Sequence, residues 1–303
     1  MNLQRILNSR SAGSYALQIS QIIPPKMGII ACQWIAKWLA ENRELPLTRA
    51  IRLNRWVVSG CSANSDELAK AVRANYFEIA YSFYILFHNL NRPEQLQNYV
   101  SFSPQAEELI DLSQEKQRGM VVLGLHMSNF DLVMQAAAWK GLHAIGISIP
   151  ENTENNEAVE WQHKFRRNSG LEILPASFST FKQAIRRLRE GEIVMTGIDR
   201  PIPSPRFKPV FFGHPSFLPT HYIHLALEAN VPVMLLAATR MPDGIYRIHS
   251  TPEIHLNKIH DRNLELSINT AIVLEYAAEF IRSTPDQWDV LQPVWPELLS
   301  QMP

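Results

Sequence analysis

The chain has 303 residues, 46% of them hydrophobic and 19% charged, with 29 Lys and Arg balancing 29 Asp and Glu. That length supports a substantial core, either as one large domain or as one domain with a helical extension. Zero net charge gives none of the basic excess that nucleic-acid-binding proteins carry, so no nucleic-acid partner is expected.

The opening segment MNLQRILNSRSAG is polar and has no continuous apolar stretch. No secretory signal is expected from it, and the protein is expected to stay on the cytosolic side. The most apolar segment, Met27 to Ala40, is shorter than the roughly 18 apolar residues of a membrane span and carries Gln33 and Lys37. With Glu41 these form a polar i, i+4 stripe, while Ile30, Trp34 and Trp38 take the other side. Two readings stay open here: the Trp-bearing face lies in a membrane interface, or it packs on the protein's own core.

Residues 1–115 read as a mostly helical region. Ser65 to Asn89 contains neither Gly nor Pro and sets Ala71, Tyr76, Ile79, Phe83 and Phe87 near helical spacing. Its rings suit either an acyl groove or ordinary core packing. Residues 116–303 then alternate. Strands are expected at Met120–Leu125, Ala144–Ile149, Ile193–Gly197 and Pro232–Ala237, with shorter ones near Val210 and at Tyr246–Ser250. Helices are expected at Asn129–Lys140, Asn155–Ser169, Ser179–Glu190 and Thr220–Asn230. Such alternation predicts an α/β fold with a largely parallel sheet, whose ligand crevice lies beyond the carboxyl ends of the strands.

Chemistry gathers at those ends. The run Met120 to Leu125 is followed at once by His126, with Asp131 five residues further on. On one continuous helix that spacing spans about 500° and separates the two side chains. With His126 in a strand-to-helix turn and Asp131 in the first helical turn, the two can meet. Imidazole beside carboxylate suits general-base catalysis on a hydroxyl. The bland reading stands beside it: Ser128 as N-cap, Asp131 completing a capping box, and His126 as a hydrogen-bonded core residue. A second strand ends in Gly197-Ile198-Asp199-Arg200-Pro201, so if the two strands are parallel neighbours, His126, Asp131, Asp199 and Arg200 converge. Turn-forming for Asp199 and a surface ion pair for Arg200 are the alternatives. Lys182, Arg186, Arg187 and Arg189, preceded by Arg166 and Arg167, form either a phosphate-recognising face or a solvated one.

Other chemistries lack their signatures. Cys32 and Cys61 form no CxxC and read as free thiols in a reducing compartment, and the chain contains no HExxH, no GxxxxGK[ST] and no GxGxxG. No metal site is expected.

Taken in order, these blocks resemble the lysophospholipid acyltransferase superfamily, in the branch of bacterial lipid A acyltransferases and phosphatidylinositol mannoside acyltransferases. The resemblance rests on HMSNFD (His126 to Asp131) as the HxxNxD form of the His-x4-acid block, REGEIVMTGIDRP as a strand ending in an acid, PVFFGHPSFLPT as FFGxPAxxPTG, the VPV of NVPVMLLAATR, and PDQWDVLQPVW as PEQWxWxHRRW. Ser128 stands where the branch has a small Gly, Phe130 where it has Trp, His221 where Gly follows the Thr, and Gln292-Pro293-Val294 where it has HRR.

The resemblance implies a glycerol-3-phosphate-acyltransferase-like sheet and a peripheral or interfacial place on the cytoplasmic side of the membrane. It implies transfer of an acyl chain from a thioester, acyl-CoA or acyl carrier protein as donor substrate with no bound cofactor, to a hydroxyl of a lipid or glycolipid. His126 is then the base and Asp131 its partner. Asn129, Arg166 or Arg167, Asp199 and Arg200 are candidate substrate contacts, and Phe211 and Phe212 line either the acyl path or the core. A non-catalytic lipid-binding protein of the same fold and a hydrolase using the same pair are the alternatives.

Overall fold

The computed structural model describes residues 18–89, 95, 97–116, 118–148 and 171–303. Helical residues 18–22 precede α1 (Pro25–Glu41), α2 (Pro46–Val58) and α3 (Ser65–Asn89), which are followed by β1 (Val100–Phe102) and α4 (Pro104–Glu115). Alternation then sets in with β2 (Met120–Gly124), α5 (Phe130–Trp139), β3 (Ala144–Ser148), β4 (Glu172–Pro175), α6 (Phe178–Arg189) and β5 (Ile193–Gly197). A short hairpin, β6 (Val210–Phe211) and β7 (His214–Pro215), leads to α7 (His221–Ala229), β8 (Val233–Arg240), β9 (Tyr246–Ser250) and α8 (Arg262–Ser283).

Seven strands form one sheet in the order β1-β9-β8-β2-β5-β3-β4, parallel at every pairing except β8 with β9. The fold is α/β, as the strand–helix alternation predicts. β2 runs between β8 and β5 and is buried along its whole length, which is why it reads as an unbroken apolar run rather than an alternating one. Val121 and Leu123 join one core with Val194 and Leu235 under α6, α7 and α8. Met120 and Val122 face the other way, with Met195 and Met234, against Leu109 and Ile110 of α4 and Met134 of α5.

The expected strands appear within a residue or three of their predicted bounds, and the helix expected at Asn155–Ser169 lies outside the described residues. Two strands of the main sheet arise where no strand was expected. β1 and β4 are three and four residues long and sit at the sheet's edges, too short to show a period and, for β4, ending in a proline that only an edge tolerates. α8 was also not expected. Its signature is the inward stripe Thr270, Val273, Leu274, Ala277, Ala278 and Ile281, started by Asp261, whose carboxylate accepts from the Asn263 and Leu264 amides.

α1 resolves the ambiguity of its two faces. It packs on α3 through Gly28, Cys32 and Ala36, an i, i+4 row of small residues. A Cβ at Gly28 would stand 2.3 Å from the Tyr84 ring, so only glycine permits this approach. The tryptophan side faces outward, with Trp34 69% and Trp38 51% exposed.

The carboxyl-terminal segment is held by two buried asparagines of the amino-terminal helices. Asn54 of α2 donates to the carbonyls of Val290 (3.1 Å) and Gln292 (2.9 Å) and accepts from the Val294 amide (3.0 Å). Asn75 of α3 donates to the carbonyls of Asp286 (2.7 Å) and Trp288 (3.1 Å). These amides satisfy backbone groups of a segment that has one 3-10 turn at Pro285–Gln287 and contributes no strand to the main sheet. Asn54→Ala strands buried partners at about 1–3 kcal/mol for each group, so its urea midpoint should fall clearly below that of the wild type; an unchanged midpoint would mean that water replaces the amide.

Candidate active site

β2 and β5 are parallel neighbours in the register Gly124↔Gly197, so the residues just beyond them emerge side by side. On the other side of β2 the ladder with β8 continues one step, the Leu125 amide donating to the Leu236 carbonyl (3.1 Å), and His126 is the next residue. Its Nδ1 lies 2.6 Å from Asp199 Oδ1, and its backbone N–H donates to Asp199 Oδ2 at 2.7 Å. Trp288 Nε1–H reaches the same Oδ2 at 3.0 Å.

Asp199 is 1% exposed. Burial pushes its carboxyl up, but the charge of His126 and the hydrogen bonds from the imidazole, the indole and the His126 amide outweigh this and hold it below the ordinary carboxylate range. An ionised Asp199 only accepts, so Nδ1 carries a proton and Nε2 is the basic nitrogen. The imidazole retains 13% exposure.

The ring also needs room. A Cβ at Gly197 would stand 2.7 Å from His126 Cε1, and one at Gly124 2.9 Å from the Phe130 ring, which packs against the imidazole at 5.3 Å between centroids. Glycine at both strand ends is therefore part of the seat.

The loop after His126 is pinned to the carboxyl-terminal segment. Met127 and Trp288 form an antiparallel bridge, flanked by Asp289 N–H to the His126 carbonyl and Ser128 N–H to the Gln287 carbonyl, both 2.7 Å. Ser128 has φ +51°, and its hydroxyl lies 2.5 Å from Gln287 Oε1 and accepts from the Arg240 amide at 3.1 Å. Arg240 is ion-paired with Glu78 of α3. With Ser128 committed here, α5 starts one residue later than expected, at Phe130. Its cap is Asn129 rather than Ser128: Asn129 Oδ1 accepts from the Leu132 amide (3.3 Å), while Nδ2 donates to the Ser82 carbonyl (2.8 Å).

The structure thus joins His126 to Asp199 through Nδ1. Asp131 stands in the first turn of α5, partly buried. Arg200 follows Asp199 in the chain and is also partly buried. Asn129 is 3% exposed with both ends of its amide bonded within the protein. Phe211 is a core ring, stacked on Trp295 at 5.7 Å, and Phe212 carries Arg282 over its face at 5.0 Å. Arg166 and Arg167 lie outside the described residues. The basic face of α6 is engaged locally: Arg187 pairs with Glu192 and Glu172, Arg186 with Glu190, and Arg189 donates to the Glu228 carbonyl. A cleft of about 860 Å³, bordered by Lys116, Arg118, Arg189 and Lys258, lies at the amino ends of β2, β5 and β8, opposite His126.

Gly197, Gln287 and Trp288 were not singled out as site residues in the sequence. Trp288 was visible as part of the PDQW block, but nothing local ties it to Asp199. His221, at the start of α7, meets Thr196 Oγ1 through Nε2 at 2.8 Å, and burial lowers its pKa to about 4.

The arrangement at the centre of this α/β fold is thus a histidine just beyond a central parallel strand, its Nδ1 held by a buried carboxylate that follows the neighbouring strand. The bacterial lipid A biosynthesis acyltransferase family matches residues 6–297, nearly the whole chain, and the chain belongs to that family. Its class of activity is accordingly acyl transfer. A comparison with curated proteins gives no match.

Gly197→Ala should displace the imidazole while leaving the far-ultraviolet circular dichroism unchanged, read from the His126 side-chain NMR signals; unmoved signals would show that the ring does not need this space. His221 has a folded pKa below its ordinary 6.5, so its contribution to stability is complete above that value and is lost as pH falls from 6.5 toward about 4. His221→Gln should therefore lose less stability than the wild type between pH 7.5 and roughly 4.5, measured by denaturant midpoints.

Proposed function

We propose that the protein transfers a fatty acyl group from a thioester, carried on CoA or on acyl carrier protein, to a hydroxyl of a lipid or glycolipid acceptor of the lipid A kind. The observation that carries this reading is the 2.6 Å contact of His126 Nδ1 with buried Asp199. His126 Nε2 takes the proton of the acceptor hydroxyl as its oxygen attacks the thioester carbonyl. Asp199 holds the tautomer and stabilises the imidazolium. As the C–S bond breaks, the imidazolium returns the proton to the thiolate, so ester and thiol leave together. The pathway needs no acyl-enzyme, and the chain has no GxSxG elbow. Asp131, in the first turn of α5, is a second acid on the segment that follows the base.

One further feature supports this reading. The outward apolar face of α1, with Ile30, Trp34 and Trp38, suits a membrane interface on the cytoplasmic side. Among the described residues no helix is long and apolar enough to cross a membrane.

His126→Ala should abolish labelled acyl transfer with the fold intact, and Asp199→Asn should lower turnover by about 10²–10⁴. Near-normal turnover by His126→Ala sinks the reading. Release of free fatty acid at the same rate with and without acceptor would make the protein a hydrolase. Mass spectrometry of lipids from cells with and without the protein identifies the acceptor as the species that changes by one acyl chain.

A further inference from the structure

Resting on the acyl-transfer reading, we infer that Trp288 is a positioning residue of the base. By donating to Asp199, its indole limits how strongly the Asp199–His126 pair holds the proton taken from the acceptor, so that His126 passes it on to the departing sulfur.

The two oxygens of Asp199 are loaded unequally. Oδ1 meets His126 Nδ1 at 2.6 Å, while Oδ2 takes the His126 amide at 2.7 Å and Trp288 Nε1–H at 3.0 Å. The amide belongs to the turn that also delivers the imidazole. The indole comes from a separate segment, 89 residues from Asp199, and is held from several sides. Trp288 bridges Met127, its carbonyl accepts from Asn75 Nδ2 at 3.1 Å, and its ring meets Phe211 and Trp295 edge-on, with centroids 6.4 and 6.2 Å away. At 2% exposure the ring is sealed in the core, so its N–H has little freedom to turn from Asp199.

A buried indole N–H needs an acceptor, and a backbone carbonyl suffices: the neighbouring Trp295 donates to that of Phe211 at 3.1 Å. Trp288 donates instead to a carboxylate that already holds the base. Donors to a carboxylate favour its charged form, and this one does so without reference to the charge on the imidazole. A carboxylate satisfied in that way pulls less on the imidazolium. If His126 had only to take a proton, the strongest partner would serve best. The same imidazolium must also release that proton to sulfur, and a general base works best when its two forms are close in free energy at the working pH. Indole, a donor with no acceptor, draws on Asp199 without competing for the proton.

The elements around the pair carry other titratable or charged groups: Asp131 on α5, Arg200 after Asp199, Asp289 after Trp288, the ion-paired Glu78 and Arg240 from α3 and β8, and His221 on α7. All are retained when a phenyl ring replaces the indole, so that comparison isolates the donor.

The test is a pH titration of the full chain, wild type and Trp288→Phe, followed at the His126 ring by NMR and paired with turnover of radiolabelled palmitoyl-CoA in vesicles of total bacterial lipid. Without the indole the carboxylate pulls harder on the imidazolium, so the His126 midpoint should rise by about 0.5–1 pH. On the acid side kcat/KM should then fall by about 3–10-fold, the factor that such a rise implies, and the deficit should shrink as pH increases. A deficit of one constant factor at every pH is what lost packing alone produces, and it overturns the proposal. A His126 midpoint that stays or falls overturns it too. If the phenylalanine variant does not fold, the wild type still decides: its Trp288 indole N–H signal should move with the His126 midpoint, and an indole signal that stays flat through that midpoint overturns the proposal. Wild-type protein that transfers no label at any pH removes the acyl-transfer reading beneath it, an outcome the two NMR titrations do not depend on.

Discussion

The buried carboxylate of Asp199 is the point on which the site depends. It accepts from the His126 imidazole, the His126 backbone and the Trp288 indole. A carboxylate that far from water is tolerable only when its lone pairs are met by donors. Here the requirement is satisfied by three separate pieces of chain: the turn after β2, the turn after β5, and the segment after α8. Removing any one donor leaves a charged group underpaired, so the three pieces are constrained to meet.

That constraint explains the care taken with residues 285–295, which contribute no strand to the main sheet. Asn54 and Asn75 hold their backbone from α2 and α3, Trp295 stacks on Phe211 and donates to its carbonyl at 3.1 Å, and Gln287 locks Ser128 and Arg240. The amino-terminal helices are thus coupled to the imidazole through the carboxyl-terminal segment. Changes in either set of helices are felt at the site through hydrogen bonds to backbone, which resist sliding more than apolar contacts do.

Much of this was legible in the sequence. The unbroken apolar run of β2 announced a strand covered on both faces, and His126 and Asp199 were each visible as polar residues at strand ends that meet if the strands are neighbours. Local spacing favoured Asp131 as the imidazole's partner because it lies five residues away, whereas the group bonded to Nδ1 is 73 residues distant. A parallel register sets that distance, and single-sequence periodicity carries no register. Trp288 is 89 residues from the carboxylate it serves and was visible only as part of a block. Gly197 gave no signal at all, because its role is the space beside an imidazole that another strand delivers. The one-residue error at the start of α5 has the same origin, since Ser128 is a good cap in isolation and is taken from that role by Gln287.

Two acids near the bridge show how neighbours set the charge of a carboxyl group. Asp199 is 1% exposed and accepts from an indole N–H, the imidazole and a backbone N–H, which together hold it below the ordinary carboxylate range. Asp289 is the residue after Trp288; its amide is spent on the His126 carbonyl, and its Oδ1 has no donor among the described residues. Burial and the fields of Glu78 and Asp199, only partly offset by Arg200, push its pKa up. Desolvation acts in the same direction on both carboxyls, so the donors gathered at Asp199 are what separate the two.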